Sequence, residues 1–314
     1  MSFLGETPPY DEGSFAAIVT GDASPAGGAS KTCSDNVRKA WPRLFELGAT
    51  EAGRKRLTSL FRLCPNSAPE SVSDVWTLAF WLQSSMDYMA MGSYPYPSSY
   101  ILNGDGVLPP YPMREMCKPL AQHSLGPDEL LQALSEGTGV FYNYSGALTC
   151  FDTHGSANNA TTEDGHLWDY LFCSELTQPM SRDGKRDMFW SQPFSLNGTE
   201  MQCQSQWGIR GRPRWATVLY GGWTGLEEAS NIVFSNGELD PWRGGGVTRN
   251  ETGAWARDII PILIPEVGHH IDLMFSNPND TPAVRHARDT ERRYLAKWIQ
   301  QHHARGPAEV LSLP

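Results

Sequence analysis

Apolar residues recur at three- and four-residue intervals through two early stretches of the chain, the period of a helix with one buried face. Val37, Ala40, Trp41, Leu44 and Phe45 mark the first, and Val72, Val75, Trp76, Ala79, Phe80 and Leu82 to Met91 mark the second. Their Trp and Met stripes are expected to pack between helices as core. Leu130 to Leu134 restarts a helix, and Gly137 to Thr149 reads as a turn or short helix. Between these lies Tyr94 to Pro112, rich in Pro, Gly and Tyr and therefore extended or looping. Residues 1 to about 32 end in GDASPAGGASKT, a small, polar stretch with the composition of a linker.

The pattern changes after Cys203. Trp207 to Trp215 (WGIRGRPRW) is an irregular connector, and Asn231 to Ser235 (NIVFS) is a short apolar run that reads as a strand ended by an Asn236-Gly237 turn. Ile259 to Pro265 is a second such run. Ala283 to His303 then reads as an amphipathic helix whose buried face is Tyr294, Leu295, Trp298 and Ile299. Strand, connection, strand and helix is the order in which a parallel α/β sheet ends.

Composition narrows the function classes. The chain has 314 residues, of which 40% are hydrophobic and 19% charged, enough for a substantial core. Its net charge of −10 argues against nucleic acid as a partner, because phosphate neutralisation needs clustered Lys and Arg. The longest apolar run, Ile259 to Val267, is interrupted by two prolines and a Glu, so no membrane span is expected. Six cysteines (Cys33, Cys64, Cys117, Cys150, Cys173 and Cys203) lack metal-ligand spacing and read as disulfides. Five Asn-x-Ser/Thr sequons, at Asn143, Asn159, Asn197, Asn250 and Asn279, exceed the roughly two that chance predicts. Both features point to the secretory pathway. Met1 to Tyr10 has neither a basic start nor an apolar core, so no signal peptide is read there, and a truncated or alternative product is the expectation.

The candidate chemistry lies near the two strand runs. Asp240 follows the first run in a turn fixed by Pro241, and His269 follows the second by a short loop. In a parallel sheet, loops at the carboxyl ends of strands carry the site. A carboxylate there can hold an imidazole tautomer and stabilise the imidazolium formed on proton transfer. The bland alternative is a turn-capping Asp and ordinary loop histidines. No GxSxG elbow occurs in the chain, and Ser93, in Gly92-Ser93-Tyr94, lacks the trailing glycine and the strand that a nucleophile needs. Gly244 to Gly246 matches no phosphate-binding loop, and neither a cofactor nor a metal is indicated.

NIVFSNGELDPWRGGGV followed by GHHIDL resembles the C-terminal signature of the lysosomal prolyl carboxypeptidase and dipeptidyl peptidase II family of serine exopeptidases. SYPYPS, FYNYSGALTC, WDYLFCSEL, DMF and QWGIRGRPRW extend the resemblance over nearly the whole chain from about Phe15. It implies the C-terminal part of an α/β-hydrolase fold interrupted by a disulfide-bearing helical cap domain. The divisions expected are a hydrolase remnant or linker at 1–32, the cap at 33–205, a C-terminal hydrolase segment at 206–304 and a tail at 305–314. The resemblance further implies Asp240 and His269 as two members of a triad, with the family's serine in a GGSYGG elbow upstream of the first residue here. It also implies the pairings Cys33 with Cys117, Cys64 with Cys150, and Cys173 with Cys203.

The implied activity is hydrolysis next to proline in peptide substrates, in a lysosomal, vesicular or secreted setting, by a protein that could form a homodimer. WDY and the Leu-rich tail look more like a dipeptidyl peptidase, GELD and YNYSG more like a carboxypeptidase. Asp152, Asp164 and Asp169 are candidate anchors for a substrate amine. With the serine absent, the chain is expected to be inactive as written and to fold poorly alone, the first strand lying at the edge of half a sheet. The alternatives are a non-catalytic peptide-binding or scaffold descendant, and a hydrolase that takes its serine from another chain.

Overall fold

The computed structural model describes residues 13–102, 106–154, 163–248 and 258–310. Six helices form its first half: α1 (Ser14–Asp22), α2 (Lys31–Gly48), α3 (Glu51–Leu60), α4 (Val72–Met91), α5 (Pro112–Leu120) and α6 (Pro127–Asn143). Their starts follow local chemistry. Ser30 caps α2 by accepting from the Cys33 amide, Ser71 and Asp74 close a reciprocal capping box on α4, and the Glu129 carboxylate reaches back to the Gly126 amide ahead of α6. Trp41, Leu44, Phe61, Leu78, Leu82, Met86 and Met89 are buried together in one core, and the Trp41 indole donates to the Met188 carbonyl at 2.8 Å.

Parts of the sequence reading change here. Ahead of residue 32 lies α1, whose Phe15, Ala16 and Val19 join the main core, a packed element that the sequence reading did not anticipate. The helix α6 runs through Gly137 to Asn143, the helical one of the two readings, turn or short helix, for the start of that stretch. A Cβ at Gly137 would lie 2.7 Å from the Met116 carbonyl oxygen, so this glycine lets α5 and α6 approach closely. Trp76 and Phe80, expected in the core, stay substantially exposed and stack in a surface group with Phe45 and Trp190.

The second half contains α7 (Glu163–Ser174), α8 (Leu196–Trp207), α9 (Trp215–Tyr220), α10 (Gly222–Glu228), β1 (Ile232–Gly237), β2 (Ile259–Ile264) and α11 (Pro282–Val310). Among the described residues the sheet has two strands, paired in parallel from Ile232 opposite Ile259 to Gly237 opposite Ile264. Asn236 and Gly237 remain in the strand rather than turning. A Cβ at Gly237 would sit 2.3 Å from the Gly268 carbonyl oxygen, so that glycine too serves close approach. A second, smaller core gathers Tyr94, Tyr96, Ile264, Val267, Ile271, Val284 and Ala287 beneath β2 and α11.

On α11 the buried residues are Val284, Ala287, Arg288 and Thr290, whereas Leu295 and Ile299 are 54% and 57% exposed. The expected buried face is therefore corrected: two strands are too narrow to cover the stripe, which runs past them. Cys33–Cys117 ties α2 to α5, Cys64–Cys150 ties the loop after α3 to the segment after α6, and Cys173–Cys203 ties α7 to α8. Their sequence separations of 84, 86 and 30 correspond, by loop entropy, to upper values of about 4.6, 4.6 and 3.6 kcal/mol. No described helix is long and apolar enough to cross a membrane.

Candidate active site

Asp240 is placed by the end of β1. Its amide donates to the Gly237 carbonyl, and it caps the 3-10 turn Pro241–Gly245, with Oδ1 accepting from the Trp242 amide at 3.0 Å. Capping occupies one carboxylate oxygen and leaves the other directed to the neighbouring loop. That loop follows β2 and is tied to the first by the Leu239 amide, which donates to the Val267 carbonyl at 2.9 Å. His269 is fixed at both backbone groups: its amide donates to the Met91 carbonyl at 2.9 Å, and its carbonyl accepts from the Tyr94 hydroxyl at 2.7 Å. Burial pushes the Tyr94 phenol well above its usual range, which keeps it a hydrogen donor. Gly268 is required by the same contact, since a Cβ there would lie 2.3 Å from the Met91 carbonyl oxygen.

These constraints bring the two side chains together. His269 Nδ1 lies 2.8 Å from Asp240 Oδ2, with both side chains mostly buried. A carboxylate only accepts, so Nδ1 carries the hydrogen and the lone pair is on Nε2, across the ring. The arrangement can take a proton at Nε2 and stabilise the resulting imidazolium through Asp240. His270 packs its ring 3.5 Å from that of His269 in a left-handed backbone conformation. Burial, then the adjacent His269, pushes its imidazole below the usual range.

An aromatic wall borders the dyad. Trp242, two residues after Asp240, packs edge-on against Phe15 of α1 and Trp168 of α7, and its indole N–H points at the Met91 sulfur. The asparagine and aspartate candidates separate by position. Asp169 is exposed on α7 beside Trp168 and accepts from Gln206 at 3.5 Å. Asp152 is folded into a turn, accepting from Asn66, Ser67 and the His154 amide, which leaves it a local bracing role rather than that of an anchor. Asp164 lies on α7, its side chain outside the described residues. The Ser93 hydroxyl is buried and donates to the Met89 carbonyl at 3.1 Å.

Of the sequons, Asn197 in the first turn of α8 and Asn279 are exposed. Asn143 closes its own turn, with both amide atoms bonded to Leu148, while Asn159 and Asn250 lie outside the described residues. Among the described residues no cluster of three metal-ligating side chains occurs. Sequence reasoning assigned no role to Met91 or Tyr94. Their contacts join residues far apart in the chain and leave no local pattern; only the SYPYPS motif marked the neighbourhood.

Residues 10–291 match the family described as serine carboxypeptidase S28. The chain is 35% identical over 289 residues to the lysosomal Pro-X carboxypeptidase of Homo sapiens, covering 92% of this chain and 55% of that protein. It is 32% identical over 281 residues to prolyl carboxy peptidase like protein 5 of Caenorhabditis elegans, covering 84% of this chain and 53% of that one. It therefore spans about half the length of the curated relatives it matches. A match that covers most of these residues, strand ends and their loops included, places the chain in the serine carboxypeptidase S28 family.

Proposed function

We propose that the chain carries the aspartate and histidine of a serine exopeptidase of the Pro-X carboxypeptidase type, acting on proline-containing peptides. The 2.8 Å contact between His269 Nδ1 and Asp240 Oδ2 at two adjacent strand ends carries this reading. In the reaction, His269 Nε2 takes the proton of a serine hydroxyl as that oxygen attacks the peptide carbonyl, then returns it to the leaving amine. Asp240 keeps the ring oriented and balances its charge. No serine of the sequence stands in a GxSxG elbow, so the reading assigns the nucleophile to residues beyond the 314 given, and the chain by itself to an inactive state.

The fold that goes with this function is an α/β hydrolase whose last strands are β1 and β2, with residues 33–205 as a cap and 206–304 returning to the hydrolase part. Carboxypeptidase relatives among the similar proteins favour release of a C-terminal residue after proline over release of an N-terminal dipeptide. Three disulfides suit an oxidising compartment, and the lysosomal relatives favour an acidic vesicle. The test is expression of the longest transcript that contains this sequence, assayed on a blocked Pro-Phe dipeptide and on an X-Pro chromogenic substrate. Cleavage of the first, lost by about 10⁴-fold in Asp240→Asn, is the expected result. Full activity in His269→Ala would overturn it.

A further inference from the structure

Two tyrosines of the SYPYPS segment, Tyr94 and Tyr96, are buried in the second core with Ile271 of the turn that follows His269 and with Val284 and Ala287 of α11. Tyr94 holds the His269 carbonyl directly. Tyr96 reaches the same loop by a longer route, its hydroxyl donating to Asp280 Oδ1 at 3.2 Å. Burial, then the Asp280 charge, pushes the Tyr96 phenol up to about 12, so it stays a donor. The other Asp280 oxygen accepts from the Asn277 amide at 2.8 Å and from Arg288 Nη1 at 2.5 Å. The Asp280 and Arg288 side chains are 2% and 8% exposed, so each buried charge depends on the other for compensation.

The remaining nitrogens of Arg288 face the turn Ile271–Leu273. Nε donates to the Asp272 carbonyl at 2.9 Å and Nη2 to the Ile271 carbonyl at 2.7 Å. All three nitrogens are therefore bonded, two of them to consecutive carbonyls, which requires the flat fork of arginine. The turn is also tied to β1, where the Ser235 hydroxyl donates to Asp272 Oδ2 at 2.7 Å. His269 is thus held at its own backbone by Met91 and Tyr94, and two and three residues later by Arg288. His270, between the two grips, has a left-handed backbone, a conformation that a residue other than glycine keeps where its surroundings fix it.

We infer that Arg288 is a positioning residue for His269: its fork fixes the turn that follows the imidazole, Tyr96 sets the fork through Asp280, and the contact of Nδ1 with Asp240 depends on both. The inference rests on the catalytic role proposed for His269. Asp280 balances the guanidinium, so Arg288 acts through geometry rather than through its charge. A lysine at this position keeps the charge beside Asp280 and gives up the fork, because a single ammonium on a flexible stem does not span two carbonyls and a carboxylate in one plane.

The test uses the chain as it stands, with nitrogen-labelled histidine. Exchange of the His269 Nδ1 proton with water is followed by NMR, well below the melting midpoint of each variant. In Arg288→Lys the proton should exchange about 10–100-fold faster, the scale of one or two lost hydrogen bonds from a charged donor. Tyr96→Phe removes one hydroxyl from the same network and should act in the same direction by about fivefold. Arg292→Lys, at an exposed arginine of α11 paired with Asp289, should leave exchange at the parent rate. Parent-like exchange in Arg288→Lys or in Tyr96→Phe, with or without a lower melting midpoint, overturns the inference, as does equal acceleration in Arg292→Lys. Should Arg288→Lys not fold, Tyr96→Phe decides alone. Peptidase activity plays no part in this readout, so failure of the proposed function would leave it legible.

Discussion

Gly268→Ala tests the idea that backbone contacts, more than the dyad's own hydrogen bond, hold His269 in place. The new methyl carbon would begin 2.3 Å from the Met91 carbonyl oxygen and 2.9 Å from the Ser93 amide nitrogen, both backbone atoms at the end of α4. Ordinary contact needs about 3.4 Å, so the loop must withdraw by about 1 Å, a shift of the kind that overpacking makes cost about 1–3 kcal/mol. The withdrawal also stretches the 2.9 Å bond from the His269 amide to Met91, worth about 1 kcal/mol more. A total of about 2–4 kcal/mol lowers the melting midpoint by roughly 3–6 °C in a chain of this size. Calorimetry measures the midpoint, and the NMR signal of the proton between His269 and Asp240 reports the dyad; both should fall together. Gly21→Ala is the control, since a Cβ at that position in α1 meets nothing within 4 Å and alanine favours helix. If Gly268→Ala melts with the parent and keeps the proton signal, the close approach of α4 does not position His269.

Three further outcomes follow from particular groups. The buried pair Arg182–Asp87, 2.7 Å apart, should make Arg182→Met destabilising by about 3–5 kcal/mol in urea unfolding, because the Asp87 charge is left buried alone. Asp22 is buried at the end of α1, which holds its carboxyl well above the usual range, so its contribution to stability is present below the unfolded value and lost as pH rises through the folded one. Asp22→Asn should therefore be more stable than the parent at pH 7.5, with the gap closing toward pH 4, as read by thermal melts. A fluorophosphonate probe should label no serine of the chain as given, checked by mass spectrometry of the digest; robust labelling of Ser93 would contradict the bond it makes to Met89.

The helices with regular apolar spacing and both strands were legible because burial on one face imposes a period on the chain. Asp240 and His269 were legible because each sits a few residues past an apolar run, and parallel pairing brings such loops together. Glycines were the least legible. Gly237 read as a turn signal and Gly137 as part of a turn or short helix, yet each is there to let another backbone come close, and that need is set by residues such as Met116 and Gly268 elsewhere in the chain. The partners of His269 were hidden for the same reason: Met91 and Tyr94 precede it by more than 170 residues, and nothing in their own neighbourhood encodes the contact.

The exposed stripe on α11 shows what the sequence pattern measures. Leu295 and Ile299 were read as buried from periodicity alone, and in the structure they are exposed, as are Leu263 of β2 and Phe275, the last at 99%. Periodicity reports which residues of a helix share a face, and not whether another element covers that face. The anchors of the dyad lie elsewhere: Met91 and Tyr94 on one side, Trp242 and the Gly237 end of β1 on the other. The geometry of Asp240 and His269 is thus set by the contact between α4 and two loops, and the exposed stripe of α11 takes no part in how the two side chains meet.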